Sequence, residues 1–165
     1  MIFRTKKHSL ELYNTLLQLS RSLYFYNKIK LKDTFETRIY LMFIHFAIIL
    51  IIYKKKNIIF SQHLYDDLFH CIENNLREIG LGDVAVNKKM KDLNKFFYDI
   101  LLKINANKES FKVNQKLVIK YFNELGNVKD IKYKYFEGYF TKFYNFCFDI
   151  EAKIMLKETL KFKVE

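Results

Sequence analysis

Apolar residues recur three and four positions apart along most of the chain, the spacing that lines up one face of an α-helix. Leu10, Tyr13, Leu16, Leu17 and Leu23 form the first such stripe, and Ser9 ahead of them offers a capping hydroxyl. A first helix is therefore expected from Ser9 to about Arg21. Asp33-Thr34-Phe35-Glu36 has the form of a capping box, with an acceptor at the cap and a glutamate three residues on. It opens a second helix that turns apolar on every side, because from Ile39 to Tyr53 only His45 is strongly polar. Arg38 and the run Lys54-Lys55-Lys56 bracket that stretch.

Ser61 is placed to cap a third helix reaching about Ile79. Its apolar stripe is Leu64, Tyr65, Leu68, Phe69, Ile72, Leu76 and Ile79. Gly80 sits where a left-handed residue ends a helix, and Gly80-Leu81-Gly82-Asp83 connects to a fourth helix from about Asn87 to Asn105. There Met90, Leu93, Phe97, Ile100, Leu101 and Ile104 share a face. A fifth helix is expected over Val113–Leu125, stopped by Gly126. A last one runs from about Asp130 past Leu160, its face carrying Tyr135, Phe136, Tyr139, Phe140, Phe143, Cys147, Ile150 and Ile154. The sequence has no internal repeat and no low-complexity linker. The expectation is an all-α protein, one compact domain over residues 1–165, with about six helices and a long C-terminal one.

The second helix raises the question of a membrane. A spanning helix needs about 20 apolar residues, and a histidine in mid-span is costly in lipid. Ile39–Tyr53 falls short of that length, so a central helix buried in protein is expected. The alternatives are a membrane-embedded helix or an interfacial one with Lys54, Lys55 and Lys56 at the head groups.

Composition agrees with helices. The chain has no proline, 4 glycines and 50% hydrophobic residues, which excludes disorder and the turn-rich β folds. Its 29 basic against 18 acidic residues leave a net charge of +11. Lysine, isoleucine, asparagine, phenylalanine and tyrosine are all written by AT-rich codons, and lysine greatly outnumbers arginine, so much of this charge reflects codon drift. Its distribution is more informative: residues 1–60 hold the basic excess, which favours an anionic partner such as RNA, a ribosome surface or phospholipid head groups. Cys71 and Cys147 form no CxxC pair and read as reduced core residues. With a charged start and no apolar signal stretch, the expected setting is intracellular and bacterial.

Enzyme chemistry finds little footing. His63, Asp66, Asp67, His70 and Glu73 could face one way on the third helix and ligate a metal. However, no HExxH or ExxH pair accompanies them, and they read as the solvated face of an amphipathic helix. His45 reads as a packed histidine bonded to a neighbour. No phosphate loop, nucleophile elbow or dinucleotide fingerprint is present, so neither catalytic residues, a metal nor a cofactor are expected. Aromatics interleaved with lysines could stack on bases, but core packing accounts for most of them. No DNA partner is expected.

The stretch LREIGLGDVAVNKKMKDLNKFFYDIL, from Leu76 to Leu101, resembles the ubiquinol–cytochrome c chaperone family. Upstream blocks agree in order and spacing: Leu12-Tyr13 with Arg21 and Phe25-Tyr26, then Asp33-Thr34 with Arg38 and His45, then Ser61 to Phe69. The resemblance covers about residues 10–125. Lys32 and Asn87 stand where the family usually has proline. The resemblance implies a mostly helical, non-enzymatic chaperone. Mitochondrial members of the family assist assembly of the bc1 complex, holding newly made cytochrome b at the ribosomal exit with a small partner protein. In a bacterium the matching place is the cytoplasm and the inner face of the inner membrane. At matching positions, Arg38, Arg77, Glu78 and Asp83 are the candidates for a polar network or a partner-facing patch, and Lys54, Lys55 and Lys56 for contact with a membrane or ribosome. A ribosome- or RNA-associated binding protein, and less readily a helical metal- or ligand-binding enzyme, are the alternatives.

Overall fold

A computed structural model describes residues 2–104 and 111–164, with side chains from Leu10 onward. All of its regular elements are helical. In order they are α1 (Ile2–Ser20), a π-helical turn (Tyr24–Lys28), α2 (Phe35–Lys55), α3 (Gln62–Glu78), α4 (Asp83–Lys103) and α5 (Gln115–Tyr121). A 3-10 turn (Asn123–Leu125), α6 (Ile131–Phe148), and α7 (Met155–Glu158) between two further 3-10 turns complete the chain.

α2 is the axis of the molecule. Every residue from Leu41 to Ile49 is fully buried, because α1, α4 and α6 pack around the helix and α3 closes over α1 and α4. α2 is long and apolar enough to cross a membrane by length and composition. Its apolar residues are instead spent on protein neighbours, as expected for a helix that is hydrophobic all round. On one side Phe43 and Phe46 meet Phe97 at ring centroid distances of 5.0 and 5.5 Å, with Phe69 and Tyr65 of α3 alongside. On the other side His45 lies among Phe25, Phe140 and Phe143. Paired rings of this kind add to stability beyond their buried area.

The ends of the helices depart from the sequence expectation in instructive ways. α1 already runs through Ser9, so Ser9 is interior and not a cap; Leu23 lies past its end and is exposed. Thr34, not Asp33, caps α2 by accepting from the Thr37 N–H at 3.2 Å, which leaves Asp33 to bind Arg38. Ser61 caps α3 as expected, through the Leu64 N–H at 3.4 Å. α4 starts at Asp83, a full turn before Asn87, because the chain is already helical after Gly82, where the Val86 N–H reaches back to the Gly82 carbonyl at 2.9 Å. It ends at Lys103 with Ile104 as cap, and Asn105 lies outside the described residues. The fifth helical stretch shortens to α5 and a 3-10 turn.

The helical stretch from Asp130 past Leu160 is also divided. It breaks after Phe148, where Glu151 is extended. Lys56 donates to the Ile150 carbonyl at 2.7 Å and Tyr53 to the Ala152 carbonyl at 2.9 Å. Both carbonyls are thus taken by α2 side chains. The Lys32 backbone N–H, which a proline there would lack, donates to Glu124 at 3.0 Å, tying the α1–α2 connection to the turn after α5.

Candidate functional site

The Leu76–Asp83 segment forms a corner where α3 ends and α4 begins. Leu81 N–H returns to the Leu76 carbonyl at 3.2 Å and Gly80 N–H to Arg77 at 3.0 Å. Closing this loop requires Gly80 at φ +97°, a left-handed conformation that glycine adopts without steric cost. Arg77 holds the corner from outside. Its guanidinium binds Glu73 at 2.9 Å on the preceding turn and also Asp83, in the first turn of α4. An acidic residue in that turn is itself favoured by the helix dipole.

The corner leaves apolar side chains uncovered. Ile79 is 62% exposed and Val84 84%. Beside them lies a groove of about 380 Å³, floored by Phe35, Leu76, Leu81 and Ala85. Its rim is charged: Lys89 bonds Glu36 at 2.7 Å, linking α4 to the start of α2, and Lys88 and Asp92 continue the edge. The Lys89 bond, first, and helix backbone donation hold the Glu36 carboxyl below its ordinary range.

The four candidate polar residues occupy separate places. Arg38 grips Asp33 with two bonds, 2.6 and 2.8 Å, which depresses the Asp33 carboxyl. Arg77 and Asp83 form the corner clasp. Glu78 is exposed and has no ion pair among the described residues. No ion pair or hydrogen bond among those residues joins Arg38 to Arg77, Glu78 or Asp83.

Lys54, Lys55 and Lys56 behave unequally. Lys54 is exposed. Lys55 donates to the Tyr144 hydroxyl at 2.7 Å, and the Lys56 ammonium lies 5.3 Å from the centre of the Phe148 ring while it donates to Ile150.

His45 is a packed residue. Its Nδ1 lies 2.6 Å from the Leu41 carbonyl, which can only accept, so Nδ1 carries the proton. Nε2 then accepts from the Tyr139 hydroxyl at 2.9 Å. Burial pushes its pKa down to about 4. Neutral and fully paired, His45 orients the core and presents no free base. On α3, His63 pairs with Asp67 at 3.2 Å and Gln62 with Asp66 at 2.8 Å. Among the described residues, no three His, Cys, Asp or Glu side chains are placed to hold a metal ion. Burial raises the Cys147 thiol to about 12 and also raises that of half-buried Cys71, the wrong direction for a nucleophile.

Sequence periodicity missed part of this site. It assigned Ile79 to the buried stripe, overlooked Val84 as a surface apolar and Phe35 as the half-buried floor of the groove, and could not pair Lys89 with Glu36 across 53 positions. One available signal was the density of apolar residues around two glycines, more than one helix face can bury.

The chain is thus an all-α protein with an uncovered apolar corner, charged at its rim, a surface of the kind that marks contact with another protein, a membrane or a ligand. The family model for the ubiquinol-cytochrome C chaperone matches residues 27–117, and the chain belongs to that family. The matched span holds Arg38, the three lysines and the whole corner, and ends within α5. No match was found among curated proteins or among solved structures.

Proposed function

We propose that this protein is an assembly chaperone of the ubiquinol–cytochrome c reductase complex whose client is newly made cytochrome b. Family membership across residues 27–117 carries the reading. The corner is the proposed client contact. An incomplete membrane subunit exposes apolar segments that must be shielded from water, and Ile79, Val84 and the Phe35–Leu81 groove offer uncovered apolar surface within the matched span. Binding there removes that surface from water without requiring a reaction. On this proposal the protein works in the cytoplasm at the inner face of the membrane, with the ribosome and a small partner protein as further contacts.

The test is deletion of the gene followed by complementation. Loss of cytochrome b and of bc1 activity, with other respiratory complexes retained, is expected. Ile79→Asp with Val84→Asp should fail to complement while the purified variant unfolds at the wild-type midpoint, since both side chains already face solvent. Normal cytochrome b levels in the deletion strain refute the client. Full complementation by the double variant refutes the corner.

A further inference from the structure

The turn after α2 carries a second uncovered surface of different chemistry. Ile58 and Ile59 follow the lysine run, and Ile59 is 95% exposed. The turn that presents them is well held. Asn57 sits at φ +55°, its N–H returns to the Lys54 carbonyl at 3.1 Å, and the Ile58 N–H returns to Tyr53 at 2.9 Å. Two adjacent aliphatic side chains are thus displayed on a fixed tip.

Among the described residues, nothing neutralises the charge beside them. Lys55 and Lys56 bind a hydroxyl, a carbonyl and ring faces, all of them neutral, and no described carboxylate lies within ion-pair distance of Lys54, Lys55 or Lys56. Asp149 and Glu151 flank Ile150 but reach none of the three ammonium groups, and Lys153 follows them. Between Arg38 and Asp66 the chain has no acidic residue. Behind the tip, the ends of α2 and α4 enclose a groove of about 610 Å³ lined by Leu50, Ile51, Leu101 and Ile104, and Leu102 at its side is largely exposed.

We propose that this tip is a lipid-docking edge for an anionic bilayer. Ile58 and Ile59 enter the boundary between head groups and acyl chains while Lys54, Lys55 and Lys56 lie at head-group level. The arrangement matches what interfacial binding requires, a small apolar wedge collared by unpaired positive charge. Charge complementarity chooses the partner. A protein client would need a shaped apolar counterpart, whereas a bilayer accepts a convex aliphatic tip of any outline. Each lysine near an anionic surface strengthens partitioning on the order of fivefold. Pinning Lys55 and Lys56 in advance lowers the conformational entropy lost on docking. This edge is separate from the client corner and stands independently of the client's identity.

The experiment is co-sedimentation of the purified full-length protein with vesicles of phosphatidylcholine, with and without phosphatidylglycerol, near physiological salt. Binding to the anionic vesicles at least tenfold tighter than to the neutral ones is expected. Ile58→Ser with Ile59→Ser should weaken it about tenfold, and Lys54→Glu should do so severalfold, both with unchanged unfolding midpoints. Lys129→Glu with Lys132→Glu, a charge change elsewhere, should have less effect than Lys54→Glu alone. Equal binding to both vesicles, no effect of the isoleucine substitutions, or an equal effect of the distant lysines overturns the proposal. So does tighter binding to single-stranded RNA that is indifferent to Ile58 and Ile59. No client is present, so failure here leaves the cytochrome b reading standing, and failed complementation by the corner variants leaves this one standing.

Discussion

Protonating His45 should destabilise this protein, and the size of the effect follows from its surroundings. The ring is wholly enclosed by the apolar core, its Nδ1 proton committed to Leu41 and its Nε2 to Tyr139. A second proton on Nε2 would place a charge in that core and set it against the Tyr139 hydroxyl proton. Desolvation accordingly lowers the folded-state pKa to about 4, whereas the unfolded chain titrates its histidine near 6.5. The sign follows: between these values the unfolded state binds the extra proton, so stability is complete above about pH 6.5 and declines as pH falls toward 4. Each unit is worth about 1.4 kcal/mol, so roughly 3 kcal/mol is lost in all and about 2 kcal/mol by pH 5. That is a large share of the 5–15 kcal/mol typical of a folded domain. Urea unfolding from pH 7.5 to 5 measures it, with His45→Gln as comparator. The variant loses some stability at every pH but should lose this part of the pH slope, which also cancels contributions from other histidines. Asp33, Glu36 and Asp99, whose partners lower their carboxyl pKa values, destabilise the fold only at still lower pH. A wild-type profile that is flat from pH 7.5 to 5, or one shared by His45→Gln, refutes the reasoning.

Gly80→Ala should cost about 1–2 kcal/mol in chemical denaturation: an added Cβ meets nothing within 4 Å, so backbone strain at φ +97° acts alone. Gly82→Ala, at φ −72° in equally open space, should be close to neutral, and equal losses at both positions would show that strain is not the cause. Phe97→Ala should cost about 3–5 kcal/mol, because its fully buried ring joins Phe43, Phe46, Tyr65 and Phe69 in one cluster. A loss below about 1 kcal/mol would mean that the cluster repacks.

Helix existence was written plainly in the chain. Period-3.6 stripes, Ser61 at a start and Gly80 at a stop predicted α3 and its end, because a cap and a left-handed glycine act on their own few neighbours. The second helix, apolar from Ile39 to Tyr53, could be read as central because no single face of it was fit for water. Where local rules failed, a distant group had intervened. Asp33 gave up the cap to Thr34 once Arg38 claimed its carboxylate. The C-terminal helical stretch broke because Tyr53 and Lys56, roughly a hundred residues away, hold the carbonyls of Ala152 and Ile150.

The same division runs through the sites. The LREIGLGD block, with the upstream blocks, carried the family, since motif and spacing are properties of sequence and need no coordinates. Burial is a property of the assembled core. Sequence by itself determined that the protein is helical, that α2 is too apolar to face water, and which chaperone family it belongs to. Only the tertiary structure decided that Ile79, Val84 and Ile59 stay in solvent while Leu76, at the same helical spacing, does not. It likewise settled that His45 is sealed rather than reactive, and that Lys55 and Lys56 rest on neutral partners. Helical period sorts residues by face, but exposure depends on which faces the neighbouring helices reach, and that is set by long-range packing.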